Sequence, residues 1–449
     1  MENILLRFLF LFILTFTFTK EEDEIIIELP ITQHPVEEFY TVPLFVGTLP
    51  EDSDLRKNYT IQNFTLQVDT TSSLSWIPSN KTVFPNITFN KYNSSLSFTG
   101  KETNESIVIV DEDGDVYGNI ISDTVSLGNE EKVKVENFTM IQILNYDKYF
   151  GDFPNGKLGL GYKNHSQGGE ESNFLSMLKK NNIISKKIFA IEKNKIIFGG
   201  IPERYSKYQY SKCNLTHTDD LDDDYRNGWI CQITHLLIGD QTQNFEDAIE
   251  VPSSRVIFDS AYQYISIPMI YLNVFKEKMF DFYTINACKE VKEELVIYYV
   301  CHSTEKFSFI NISFILEGYG YVFNLKSLFK KIDSENMEML IRFKKENDNI
   351  WAFGLPFLNQ YTIVYNAEDN LVGLYGGEKE DFLSEWELWN THNNLSKHQK
   401  RKLLLIVGIS IVSAIFLTVI LFLLWKSFIK KKSYERKDQG PLIKSEEIH

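Results

Sequence analysis

At 449 residues, with 43% hydrophobic and 14% aromatic content, the chain is too long for one ordinary core; it fits two lobes of roughly 150 to 180 residues plus extensions. Its formal net charge of −15 and the absence of a basic stripe in its body argue against a nucleic-acid partner, since a phosphate backbone would be repelled. Abundant Tyr, Phe, Ile, Val and Thr, broken at short intervals by Gly, Asn and Asp, point to a mostly β chain.

The N-terminus carries an apolar stretch from Ile4 to Phe18 with one Arg, followed by the polar Lys20-Glu-Glu-Asp-Glu24. It is short for a membrane span and reads as a secretory signal over 1–19, with an uncleaved signal anchor as the alternative. Strand candidates follow at Ile25–Pro30 and Phe39–Gly47, and a polar insert over 50–58 leads into Phe64-Thr-Leu-Gln-Val-Asp69-Thr-Thr-Ser-Ser-Leu-Ser-Trp76-Ile-Pro-Ser79. An apolar strand there delivers one carboxylate to a loop of small hydroxyl residues. Burying an Asp so costs several kcal/mol unless it is hydrogen-bonded or used.

Short strands continue from Thr82 to Leu127, with a hairpin predicted between Glu105–Val110 and Tyr117–Gly128 across the turn Asp111–Asp115. Gly156-Lys-Leu-Gly-Leu-Gly-Tyr162 lacks the Gly-Lys-Ser/Thr of a phosphate loop, so its glycines are expected to let two backbones approach closely. An amphipathic helix is predicted over Asn173–Ile184, and strands over Ile188–Ile201.

The second half repeats the design. Strands around Trp229–Ile238 precede Arg255-Val-Ile-Phe-Asp259-Ser-Ala-Tyr, again an apolar strand ending in one Asp and a small residue. A helix is expected over Met269–Phe282, a hairpin between Cys288 and Cys301, strands over Phe307–Leu316 and Tyr319–Asn324, and closing segments at Ile350–Leu358 and Tyr361–Tyr375. Two carboxylates on similar strand-loop units suggest a site at the seam between two halves.

Four cysteines allow three pairings. The local ones, Cys213 with Cys231 and Cys288 with Cys301, are expected over a metal site, because no Cys-x-x-Cys or His pair gives ligand spacing. Eleven Asn-x-Ser/Thr sequons are consistent with a lumenal, glycosylated body. Leu403–Trp425 is uncharged, mostly apolar and long enough to span a bilayer, with basic residues on both flanks. With the signal upstream, this predicts a single-pass type I membrane protein of the secretory or endolysosomal system. Its lobes would be lumenal or extracellular, 378–402 a stem and 426–449 a cytosolic tail in which Asp438–Ile443 fits an acidic dileucine sorting signal.

Five segments, in order and over residues 36–377, resemble motifs of the pepsin-like aspartic protease family. Asp69-Thr-Thr-Ser-Ser followed by Trp76-Ile-Pro-Ser79 is similar to the family's Asp-Thr-Gly-Ser-Ser and Trp-Val-Pro-Ser. Gly156-Lys-Leu-Gly-Leu is similar to its Gly-Ile-Leu-Gly-Leu, and Ile197-Phe-Gly-Gly-Ile201 to its Phe-Gly-Gly strand. Asp259-Ser-Ala matches the second Asp-Thr/Ser-Gly, and Trp351-Ala-Phe-Gly-Leu-Pro-Phe-Leu358 the closing Trp-Ile-Leu-Gly-Asp-x-Phe-Leu.

The resemblance implies an all-β, bilobal fold, with a lobe over 20–205 carrying Asp69, a lobe over 206–377 carrying Asp259, and a cleft between them. It implies an Asp69/Asp259 dyad activating a water at acidic pH without cofactor or metal, on peptide or protein substrates, in a monomer. Thr70 and Ser260 would brace the two loops, and the Ser72 hydroxyl would bond Asp69. Departures stand at Thr71 and Ala261, where the family has Gly, and at Tyr262, where it has Ser or Thr. The family's flap Tyr falls on Asp111, so the flap candidates are Asp111, Gly114 and Tyr117. Only a short stretch, Lys20–Glu38, is available as a pro-segment. The readings are an active endopeptidase; a pseudo-protease, which is a membrane-tethered module that holds peptides or proteins without cutting; and an adhesion or structural surface protein using the glycosylated lobes.

Overall fold

The strand that carries the first acidic motif forms as Gln62–Asp69, and its burial changes along its length. Phe64 and Leu66 are buried while Asn63 and Thr65 face solvent, and from Leu66 to Asp69 every residue is buried. The strand thus enters half-exposed and ends covered on both faces, which is where the carboxylate sits. A computed structural model describes residues 25–379 apart from 34–38, 83–89, 110–115, 129–132, 147–155, 163–168, 193, 202–210, 216–227, 240–248, 280–286, 303, 346–348 and 377.

Three sheets organise the described residues. An eight-stranded sheet holds the Asp69 strand between Tyr40–Val46, antiparallel, and Lys157–Gly159, parallel. A twelve-stranded sheet holds the Asp259 strand, Ile249–Phe258, between Ile230–Gly239, antiparallel, and Ile350–Phe353, parallel. The third, six-stranded, pairs Ile188–Glu192 from the first half with Ile363–Asn366 from the closing segment, so it joins strands from the two halves of the chain. The described residues are mostly β, as predicted, an arrangement consistent with a bilobal fold. The described residues belong to one unit ending at Glu380; residues 381–449 form a second that lies outside the described residues.

Aromatic residues fill the core. Trp229 from the second half packs edge-on against Phe189 and Tyr365 of the six-stranded sheet, with ring centroids 5.7 and 5.2 Å apart, and its indole N–H donates to Leu160 O at 2.8 Å. Leu160 follows the Lys157 strand directly, so this bond fixes the first half's glycine-rich run against the second half.

Both local disulfides form. Cys213–Cys231 joins the six- and twelve-stranded sheets, and Cys288–Cys301 lies directly across its hairpin. The first predicted helix forms as Phe174–Lys180, capped by the Asn173 side chain on the Ser176 amide and ended by Asn182 in the left-handed region. The second begins as a 3-10 turn at Met269–Tyr271 and continues as Leu272–Met279. The closing segment differs from a continuous strand: it stops at Phe353, and Pro356 starts a helical turn at Leu355–Leu358. The hairpin forms from Lys101–Ile109 and Val116–Leu127. The proposed signal, membrane span and tail lie outside the described residues, as does the stem beyond Lys379; its first two residues, Glu378–Lys379, instead form an edge strand of the twelve-stranded sheet, paired with Tyr319 and Gly320. No described helix is long and apolar enough to cross a membrane.

The glycine-rich run does what its composition suggests. Gly156 has φ of +141°, and a Cβ on Gly159 would sit 2.6 Å from Leu74 O. Gly159→Ala is expected to push this strand from the Asp69 loop and lower the unfolding free energy by about 1–3 kcal/mol, read by urea denaturation.

Candidate active site

The two acidic loops are held together by an exchange of hydrogen bonds that is nearly symmetric. The Thr70 hydroxyl donates to Phe258 O at 2.6 Å and accepts from the Ser260 amide at 3.1 Å. The Ser260 hydroxyl donates to Val68 O at 2.6 Å and accepts from the Thr70 amide at 3.1 Å. Both residues are fully buried, so four backbone groups that water cannot reach are satisfied across the seam. Only a small residue with one hydroxyl can both donate and accept here, which is why Thr and Ser stand immediately after the two Asp residues.

Asp69 is 2% exposed. Its Oδ1 accepts from the Thr71 amide at 2.9 Å, the Thr71 hydroxyl at 2.7 Å and the Ser72 amide at 3.1 Å. Thr71 therefore adds a donor that Gly could not offer. Neither Thr71 nor Ala261 is among the four described non-glycine residues with positive φ, so these loops take a side chain without backbone strain. The Ser72 hydroxyl has the other assignment: it accepts from the Leu74 amide at 3.2 Å and lies 3.4 Å from Leu74 O, closing the loop, while Ser72 reaches Asp69 through its amide.

The other oxygen of Asp69, Oδ2, lies 3.5 Å from Lys157 Nζ. The register explains the meeting. In the parallel ladder Gln67 is opposite Lys157 and Asp69 is two residues further along, so Lys157 and Asp69 share a face, while Leu158 and Val68 point into the core from the opposite one. Burial pushes the Asp69 carboxyl toward a higher pKa, but the Lys157 charge and the donors from Thr71 and Ser72 outweigh it and hold the group below the usual carboxylate range.

Asp259 is only half-buried; its Oδ1 accepts from the Ala261 amide at 2.8 Å. Tyr262 packs at 5.7 Å against Tyr264, with Lys344 Nζ 5.6 Å from its ring centroid. Arg342 stacks between Tyr264 and Tyr298, at 4.1 and 3.5 Å from their centroids, and pairs with Glu338. Tyr365 is fully buried and feels Asp259; burial first and that charge after it raise its phenol well above its ordinary pKa.

Of the flap candidates, Tyr117 lies in Val116–Leu127, opposite Val108 and Asn145. Asp111 and Gly114 lie outside the described residues. Among the described residues no cluster of His, Cys, Asp and Glu has the makings of a metal site. Lys157 and the Thr71 hydroxyl are the participants that sequence reasoning passed over. The available signal was a Lys within an otherwise apolar and glycine run.

The sequence model of the eukaryotic aspartyl protease family matches residues 59–375. Among characterised proteins, the chain is 22% identical to vacuolar protease A of Aspergillus fumigatus over 325 residues, covering 70% of this chain and 75% of that one. It is 20% identical to embryonic pepsinogen of Gallus gallus over 346 residues, covering 75% and 79%. Its match to cyprosin of Cynara cardunculus, 27% identical over 195 residues, takes in 41% of this chain and spans 39% of that protein's length.

Two outcomes follow from the geometry. Thr70→Ala and Ser260→Ala should each cost about 1–3 kcal/mol of unfolding free energy by leaving a buried amide unpaired, and the double variant should lose less than the sum because both belong to one network. Because the Asp69 pKa is lowered on folding, its carboxylate stabilises the fold above the ordinary carboxylate pKa, and that stability is lost as pH falls through the lowered value. Denaturant unfolding of Asp69→Asn should therefore show a weaker acid dependence than that of the parent chain.

Proposed function

The chain belongs to the eukaryotic aspartyl protease family, and from that premise we propose that it is an aspartic endopeptidase hydrolysing peptide bonds with Asp69 and Asp259. The observation that supports this reading best is the reciprocal Thr70–Ser260 bracing, which joins the loops that follow the two Asp residues.

Two nearby carboxylates resist ionising together, so over an acidic range one keeps its proton. The ionised member takes a proton from water as that water attacks the peptide carbonyl, and the protonated member polarises the carbonyl oxygen. The proton is then passed to the leaving amine, and the two groups exchange roles. The chemistry calls for no cofactor, and the peptide or protein substrate lies along the cleft.

Thr71 and Ala261 both keep the amide that a Gly would present to Asp69 and Asp259. Their side chains therefore do not by themselves argue for the non-cutting alternative. The apolar stretch over 403–425, with the signal-like N-terminus, supports anchoring as a type I membrane protein whose lobes are lumenal or extracellular.

An ectodomain spanning residues 20–400 is expected to cleave an unfolded protein at acidic pH in a pepstatin-sensitive manner, with Asp69→Asn or Asp259→Asn lowering the rate at least a hundredfold, on the order of the loss for a displaced catalytic group. Peptide binding without cleavage from pH 3 to 7 would favour the pseudo-protease instead. The full chain should resist alkaline extraction from membranes while a chain ending at residue 400, expressed with its signal, is released to the medium; a full chain that washes off would reject the anchor.

A further inference from the structure

Lys157 is 8% exposed, and its side chain reaches an Asp whose side chain is 3% exposed. Stability does not account for this arrangement. Bringing both charges out of water costs about what their attraction returns, and a well-packed apolar pair of similar volume is typically as stable or more so. The neighbours Leu158 and Leu160 show that the run otherwise buries aliphatic side chains. A lysine beside the candidate base therefore calls for a reason in the chemistry.

Oδ1 of Asp69 already accepts three hydrogen bonds from its own loop. Oδ2 is the oxygen left to meet a water or a proton, and that is the one Lys157 approaches. We propose that Lys157 is a positioning residue for the dyad: its ammonium holds Oδ2 of Asp69, which fixes Asp69 as the ionised member and leaves the shared proton to Asp259. This rests on the endopeptidase reading and adds to it an assignment of the two roles.

The direction of the pH effect follows from the groups around the pair. Lys157 faces Asp69 from the parallel strand, and Thr71 and Ser72 face it from its own loop. Asp259 follows the strand whose loop is braced to it, and the buried phenol of Tyr365 feels the Asp259 charge and the Tyr40 phenol. The phenols are neutral across the acidic range, so Lys157 is the cation among these. Its charge favours ionised Asp69 and offsets the negative charge that Asp259 would otherwise feel. Both protonation steps of the dyad are thereby moved to lower pH, and the window with a single proton moves with them.

The test is the pH profile of kcat/KM for the 20–400 chain and its Lys157→Met, Lys157→Gln and Lys157→Arg variants on one peptide. Loss of the charge in the Met and Gln variants should move the whole profile upward by about 1–3 pH units, the range for removing an opposite charge at this distance. Lys157→Arg should keep the parent limits, which a purely space-filling role would not require. If the parent cleaves and the Met and Gln profiles overlay it, the proposal is overturned while the endopeptidase reading stands. If the parent does not cleave at any pH, that reading fails, and unfolding of the parent, Lys157→Met, Asp69→Asn and the double variant decides the ion pair alone. Coupling between the two positions at pH 7 that fades on acidification supports the contact; additive losses at both pH values overturn it.

Discussion

Two hydroxyl groups, one after each acidic residue, hold this fold at its seam. The Thr70 and Ser260 side chains each donate to a carbonyl on the opposite strand and accept the opposite amide, which joins the two acidic loops. Because each strand end is buried, its last backbone groups cannot turn to water, and they are satisfied only when the two halves meet in this register. The requirement couples folding to site assembly. The six-stranded sheet, with Ile188 opposite Asn366, and the Trp229 bond to Leu160 O carry that coupling away from the seam.

Upon this scaffold the two carboxylates are not equivalent. Asp69 is buried, saturated on one oxygen and accompanied by a cation on the other; Asp259 is half-buried and takes an amide from Ala261. Symmetric bracing with asymmetric electrostatics is a way to separate the tasks of a chemically identical pair, since environment alone decides which carboxyl keeps a proton. The asymmetry originates in one residue of the parallel strand, Lys157, placed on the Asp69 face by the period of two.

The fold was largely legible in the sequence, because strand ends, glycines and hydroxyls are local signals. The two strand-end Asp motifs, a close approach in the glycine-rich run and both disulfides could be read from residue type and order, while the bracing by Thr70 and Ser260 was implied by the family resemblance. Details that depend on where a side chain turns could not. Ser72 was expected to bond Asp69 through its hydroxyl, but that hydroxyl closes the loop at Leu74 and Thr71 supplies the bond, a choice made by loop geometry. The approach of Lys157 to Asp69 joins residues far apart in sequence through strand register, which no local pattern encodes. The helical turn after Phe353 was hidden in an apolar run where strand and helix look alike, with Pro356 as its sign.

If Lys157 sets the roles of the dyad, Asp69 is the ionised member of the pair. The most direct test of this assignment is carbon NMR of the 20–400 chain carrying carboxyl-labelled aspartate, with the two signals assigned through Asp69→Asn and Asp259→Asn and followed as pH falls. The Asp69 carboxyl should keep the shift of a carboxylate below the ordinary range for aspartate while Asp259 takes up the first proton. An Asp69 signal that moves first, or two signals that move together, would contradict it.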